Sequence, residues 1–107
     1  MRNDHITEKL TTLRATFDAG TTHPVAWRRE QLHRLHDMID EHAEGIHEAL
    51  KQDLDKPALE AKVSETDYTK AEITHALKNL KTWTKPERSR IPFSLRPGKA
   101  YIQKEPY

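Results

Sequence analysis

Apolar residues recur along this chain at intervals that fit helices and almost nowhere at intervals that fit strands. Ile6, Leu10, Leu13 and Phe17 follow one another at steps of four, three and four, which lays one apolar stripe along a helix over residues 5–19. Asn3 or Asp4 is placed to cap its free amides, and Gly20 suits a left-handed residue just past its end. A stripe of this kind needs a partner to cover it.

A second helical tract opens at Pro24, a residue that has no amide to leave unpaired in a first turn. Leu32, Leu35, Ile39, Ala43, Ile46 and Leu50 continue in one phase as far as about Leu54. Gly45 costs about 1 kcal/mol against alanine inside a helix, so a break near Asp40 to His42 is expected. Pro57 pushes Lys56 out of the helical region and ends the tract at Asp53-Leu54-Asp55-Lys56.

The last helix is expected over Ser64 to Trp83, with Ile73, Ala76, Leu77, Leu80 and Trp83 or Thr84 facing inward. Ser64 followed by Asp67 resembles a capping box, with aspartate in the place of glutamate. The first turns carry Thr66, Thr69 and Lys70, so the apolar signal there is weak.

Beyond Lys85 the pattern changes. Four of the six prolines (Pro86, Pro92, Pro97 and Pro106) lie there, which excludes a long helix. Pro97-Gly98 marks a turn, and Ala100 to Lys104 is a short strand candidate with no evident partner strand in the chain. Unpaired backbone groups on such a strand must find a partner elsewhere. The expected fold is therefore mainly α, with about four helices, an extended proline-rich arm over 85–107 and one short strand at 100–104. Residues 1–84 form the helical segment.

Composition narrows the chemistry. The 107 residues allow one domain, and a 35% apolar share supplies a thin core. The formal net charge of +1 gives no global attraction to nucleic acid or acidic membranes, although charge is divided unevenly: residues 1–84 sum to −3 and residues 85–107 to +4. There is no cysteine, which excludes a disulfide scaffold, a thiolate nucleophile and any sulfur-ligated zinc within these residues. No window approaches the roughly 18 apolar residues of a membrane span. The start, MRNDHITEKL, lacks the apolar core of a signal peptide, so a cytoplasmic chain is expected.

Candidate chemistry is sparse. Among seven histidines, His33 and His36 lie one helical turn apart, with Asp37 nearby, and could share a metal ion. No third ligand is fixed by spacing, so two solvent-facing histidines on an amphipathic helix are the favoured reading and no metal site is expected. Lys85 to Lys104 interleaves six basic residues with Trp83, Phe93 and Tyr101, the residue types that bind single-stranded nucleic acid. The aromatics sit about ten residues apart, without a period that would align them, so a solvated connecting arm and no nucleic-acid partner are expected. The paired carboxylates Asp40-Glu41 and Asp53/Asp55 fit helix ends better than acid–base chemistry. Three scattered glycines cannot form a phosphate-cradling loop. Neither catalytic nor cofactor-binding residues are expected in these 107 positions.

Several stretches, taken in order, resemble the amino-terminal segment of the aldehyde dehydrogenase family, in the class-three branch that includes coniferyl aldehyde dehydrogenases. They are Leu13-Arg14-Ala15-Thr16-Phe17 with Gly20, Trp27-Arg28-Arg29-Glu30-Gln31-Leu32 with Leu35 and Met38, and Glu48-Ala49-Leu50 with Asp53-Leu54 and Lys56-Pro57. Glu60-Ala61, Glu65, Glu72-Ile73, His75-Ala76-Leu77-Lys78, Leu80 and Trp83 follow, then Lys85-Pro86-Glu87-Arg88, Pro97-Gly98 and the ending Ile102-x-x-Glu105-Pro106-Tyr107.

The resemblance implies helices that pack against the nucleotide-binding domain of an α/β enzyme, followed by an arm and a strand of the kind that takes part in subunit contacts. It implies oxidation of aldehydes to acids with NAD or NADP in a full-length enzyme, by a cysteine nucleophile and a glutamate that activates water. None of those residues maps onto this sequence, which reaches Tyr107 where relatives continue with glycine, the nucleotide-binding strand and a Trp-Asn-Tyr-Pro motif. The expected role is thus an N-terminal fragment, inactive alone and binding no cofactor, whose partners are the rest of the enzyme chain and, at full length, a second copy in a homodimer. A free-standing helical interaction module is the alternative. Two departures from the family pattern stand out: Asp55 replaces a common glycine, and Thr66, Thr69 and Lys70 replace aliphatic residues.

Overall fold

A computed structural model describes residues 2–106 of the chain, with side chains from residue 4. The element order is α1 (Arg2–Asp18), α2 (Val25–Glu41), α3 (Ala43–Leu54), α4 (Ala58–Ala61), a π turn (Lys62–Thr66), α5 (Asp67–Trp83), β1 (Glu87–Ser89), a 3-10 turn (Phe93–Leu95) and β2 (Ala100–Ile102). The mainly helical fold is the expected one. The chain divides into two compact units, one of residues 29–80 and one of residues 1–28 with 81–107.

The 29–80 unit holds the buried residues. Ile39 of α2, Ala61 of α4 and Ile73 of α5 are its buried apolar side chains, and Thr66 is buried with them. Leu32, Ala43, Ile46, Leu50, Ala76, Leu77 and Leu80 are half-buried, so the stripes read from periodicity do turn inward; Leu35 does not. The break between α2 and α3 falls at His42, inside the expected interval. It barely interrupts the hydrogen-bond ladder: His42 donates to Met38 and Ile46 to the His42 carbonyl, each at 3.0 Å.

At the end of α3, Asp55 adopts φ 53 and ψ 33. Its amide donates to the Lys51 carbonyl at 2.8 Å and the Lys56 amide to the Leu50 carbonyl at 3.4 Å, which closes the last turn in the manner usually given to glycine. Aspartate tolerates this left-handed region better than most residues because its short polar side chain can hydrogen-bond locally.

One expectation is corrected here. The helix that ends at Trp83 does not begin at Ser64. Helical structure runs without interruption from Ala58, directly after Pro57, through the π turn into α5. Ser64 caps nothing: its hydroxyl donates to the Glu60 carbonyl at 2.7 Å, one turn back. Thr66 and Thr69 make the same kind of bond to Lys62 and Glu65. Back-bonding of this sort competes with the ladder and accompanies local deformation such as the five-residue π turn.

In the other unit, α1 starts at Arg2, so Asn3 and Asp4 lie inside the helix rather than capping it. Asp4 instead sits in the first turn, where a negative charge favours the helix end. Gly20 follows α1 with φ 78, as a residue beyond a helix end should. The strand read at 100–104 forms at Ala100–Ile102 and is not isolated, because β1 pairs with it antiparallel, Glu87 opposite Ile102, Arg88 opposite Tyr101 and Ser89 opposite Ala100. Lys104 and Glu87 add an ion pair at 2.9 Å across this ribbon. Between the strands the chain turns tightly at Gly98, whose amide donates to the Leu95 carbonyl at 2.8 Å. A Cβ there would approach that same oxygen to 2.7 Å, so the turn requires glycine.

Candidate functional site

Three polar ties join the helices of the 29–80 unit. The longest in sequence links α2 to α5, where the Lys70 ammonium contacts the Asp40 carboxylate. Lys70 also lies 3.7 Å from Asp67, which accepts from Lys62 at 2.7 Å, and His36 stands 3.5 Å from Asp40. The hydrogen bond from Lys70 holds the Asp40 carboxyl below the ordinary aspartate range, against an opposing cost of desolvation. The bond from Lys62 does the same for Asp67. Reciprocally, Asp40 raises Lys70 above the ordinary lysine value.

The second tie joins α3 to the π turn. Thr66 Oγ1 lies 2.9 Å from His47 Nε2 and 3.2 Å from the Lys62 carbonyl oxygen. A hydroxyl has one proton to give, so both contacts are satisfied together when the hydroxyl donates to Lys62 and the ring donates from Nε2. Lys56 and Glu65 make the third tie, at 2.7 Å. These contacts explain the polar residues at 66 and 70: the hydroxyl and the ammonium are bonded where an aliphatic face would pack.

The residues singled out by sequence fall into place as follows. His33 is exposed, while His36 is half-buried beside Asp37 and Asp40. Among the described residues no group of three histidine, aspartate or glutamate side chains converges on a point where a metal ion could sit. Asp40 serves the ion pair with Lys70, and Asp55 the end of α3.

The basic arm is more ordered than its composition suggested. Arg88, Arg90, Arg96 and Lys99 line one groove together with Ser89, Ile91 and Gly98. Arg96 also lies over the Phe93 ring, 5.7 Å from its centroid. Sequence reasoning counted these cations without placing them. The signal that could have placed them is Pro97-Gly98, since a tight turn there folds the two ends of the arm onto one concavity. Gly20, Gly45 and Gly98 belong to separate turns or helices.

An exposed apolar stripe lies on α1. Every described side chain of this helix is exposed, including the stripe of Ile6, Leu10, Leu13 and Phe17. Contiguous exposed apolar residues of this kind mark surfaces meant to be covered. Among the described residues no helix is long and apolar enough to cross a membrane.

No protein-family model matches the chain. Individual proteins do. It is 39% identical over 104 residues to human (Homo sapiens) aldehyde dehydrogenase family 3 member B1, covering 97% of this chain and 22% of that protein. Aldehyde dehydrogenase family 3 member I1, chloroplastic, of Arabidopsis thaliana is 43% identical over 94 residues, with 88% of this chain and 17% of that protein covered. The 4,4'-diaponeurosporen-aldehyde dehydrogenase of Staphylococcus aureus is 39% identical over 102 residues. A solved structure of the substrate-bound state of Staphylococcus aureus AldH superposes with a TM-score of 0.88 at 39% identity, over 94% of this chain and 22% of that one. The match falls on the N-terminal segment of these relatives. The chain thus spans about a fifth of the length of the curated relatives it matches.

Proposed function

Because this chain is homologous to the N-terminal segment of family 3 aldehyde dehydrogenases, we propose that it forms the helical N-terminal part of an enzyme that oxidises aldehydes to carboxylic acids with NAD or NADP. The observation that carries this reading is the agreement of sequence and fold along nearly the whole chain. In that enzyme the helices serve as scaffold. The α1 stripe packs against the rest of the chain, and the β1–β2 ribbon offers strand edges for further pairing. NAD or NADP supplies the hydride acceptor, but the 107 residues offer neither a common glycine loop nor a cysteine, so no step of the reaction is assigned to them. A cytoplasmic homodimer completes the reading.

The test is a comparison of two proteins. The full-length protein, given an aromatic aldehyde such as coniferyl aldehyde or an aliphatic one, is expected to produce nicotinamide absorbance with NAD or NADP. The 107-residue segment alone is expected to produce none. Absence of turnover at full length over a broad aldehyde set, or turnover by the segment alone, overturns the proposal.

The exposed α1 stripe also suits a second reading, a free-standing helical interaction module. A cooperative thermal transition in the isolated segment, with no longer product in cells, would favour it.

A further inference from the structure

A groove lined by β1, the residues just after it and the turn that leads to β2 is strongly cationic. Arg88 and Arg90 come to it from the first strand and the residues just after it, Arg96 and Lys99 from the turn that leads back to the second. Antiparallel pairing of the two strands and the turn at Gly98 bring these four cations, which span only 12 positions, onto one surface. No acidic side chain lines the groove. The two carboxylates of the arm are engaged elsewhere: Glu87 with Lys104 at 2.9 Å and Glu105 with His23 at 3.6 Å. Among the described residues none of the four groove cations has an ion-pair partner, so their mutual repulsion is left uncompensated.

We propose that this groove binds a small polyphosphate anion. Three of the four cations are arginines, whose planar forks match the paired oxygens of phosphate and do not lose their charge at any physiological pH. A single carboxylate would neutralise one of them, whereas a diphosphate or longer anion offers several charges on a scale suited to all four. The Ser89 hydroxyl on the same wall supplies a neutral donor. Single-stranded nucleic acid fits less well, because binding it calls for aromatic platforms among the cations and no aromatic side chain lines the groove.

The experiment is a calorimetric titration of the full-length protein with inorganic pyrophosphate, with NAD or NADP present at saturation so that any nucleotide site is filled. Saturable binding is expected, weakened at least about tenfold by Arg90→Ala combined with Arg96→Ala. Raising salt from about 20 to about 200 mM should weaken it as well, since an exposed groove is screened. Arg96→Lys keeps the charge and the fold while removing the fork, and is expected to weaken binding less than the double variant does. Lys51→Ala, in the other unit, should leave binding unchanged. No saturable heat, or pyrophosphate binding indifferent to the double variant, overturns the proposal. So does tighter binding of a short single-stranded oligonucleotide at the same four residues. Because the readout is binding and not turnover, its failure is separate from failure of the aldehyde dehydrogenase reading.

Discussion

Thr66 Oγ1 lies 2.9 Å from His47 Nε2, which ties the π turn to α3 across 19 residues of sequence. Thr66 is buried, and its hydroxyl is also bonded to the Lys62 carbonyl, so the pair is a closed polar unit inside a thin core. Removing one member leaves the other without its partner, which is the costly way to lose a hydrogen bond. Thr66→Val keeps the volume and is expected to destabilise the 29–80 unit by about 1–2 kcal/mol in denaturant unfolding of the full-length protein. A double-mutant cycle with His47→Ala should return a coupling of about 0.5–1.5 kcal/mol. Simple additivity would mean that the contact contributes nothing of its own.

The Asp40–Lys70 pair makes a prediction about pH. Asp40 has its carboxyl held below the ordinary value of 3.8, so its contribution is present above that value and is lost as pH falls through the lowered one. Lys70 is held above the ordinary 10.5, so its contribution is present below that value and is lost as pH rises through the raised one. The stability difference between the unmodified protein and Lys70→Met should therefore be greatest on the broad plateau between, and should shrink toward strong acid and strong base. Both groups are solvated, so the difference is small throughout and salt reduces it. Unfolding midpoints collected along a pH series check this, and a constant difference down to strong acid would count against the pairing.

How much of this was readable from the sequence depends on the range over which each feature is decided. The break at His42, the left-handed Gly20 and the apolar stripes of α2 and α5 are set by residues within a turn of one another, and periodicity finds them. The β1 strand was not readable. Glu87-Arg88-Ser89 has no apolar alternation and follows Pro86; it is a strand because Ala100–Ile102 lies beside it. Ser64 and Asp67 match a capping pattern, yet Pro57 had already provided an earlier helix start and left Ser64 to bond backwards. Thr66 and Lys70 looked like faults in an apolar face because their partners, His47 and Asp40, lie 19 and 30 residues away. The same limit held for the basic groove. Its cations were visible as a charge excess, but only the paired strands gather four of them on one surface.

Asp55 occupies the left-handed region that the end of α3 demands, at φ 53. Glycine there removes the residual crowding between side chain and backbone, while adding freedom to the unfolded chain. The first effect is the larger at a positive φ, so Asp55→Gly is expected to stabilise the protein by a few tenths to about 1 kcal/mol. Asp55→Val, with a branched Cβ in the same conformation, should destabilise it by more than about 1 kcal/mol. Urea midpoints of the two variants test this, and a destabilising glycine would mean that the aspartate side chain contributes more than its backbone costs.

The apolar stripe of α1 separates a scaffold from a free-standing module. Leu10 is 50% exposed and Leu13 67% exposed, so within the 107-residue segment neither is anchored in a core. Replacing Leu10 by aspartate should therefore leave the isolated segment's helical content and solubility almost unchanged, or improve the latter. In the full-length protein, where the proposed reading covers the stripe, the same substitution removes a buried leucine and places a charge against apolar surface. Loss of the burial alone is about 1.5–3 kcal/mol, before any cost of the charge. Leu10→Asp at full length is thus expected to lower the unfolding midpoint markedly, with activity recovering only as far as folded protein does. Leu10→Met, of similar volume, should cost less than about 1.5 kcal/mol in the same assay. If aspartate is silent in both contexts, α1 is a solvated helix and its stripe has no partner within the enzyme. The interaction-module reading then gains the advantage, because a stripe at this spacing on an exposed helix still calls for something to cover it.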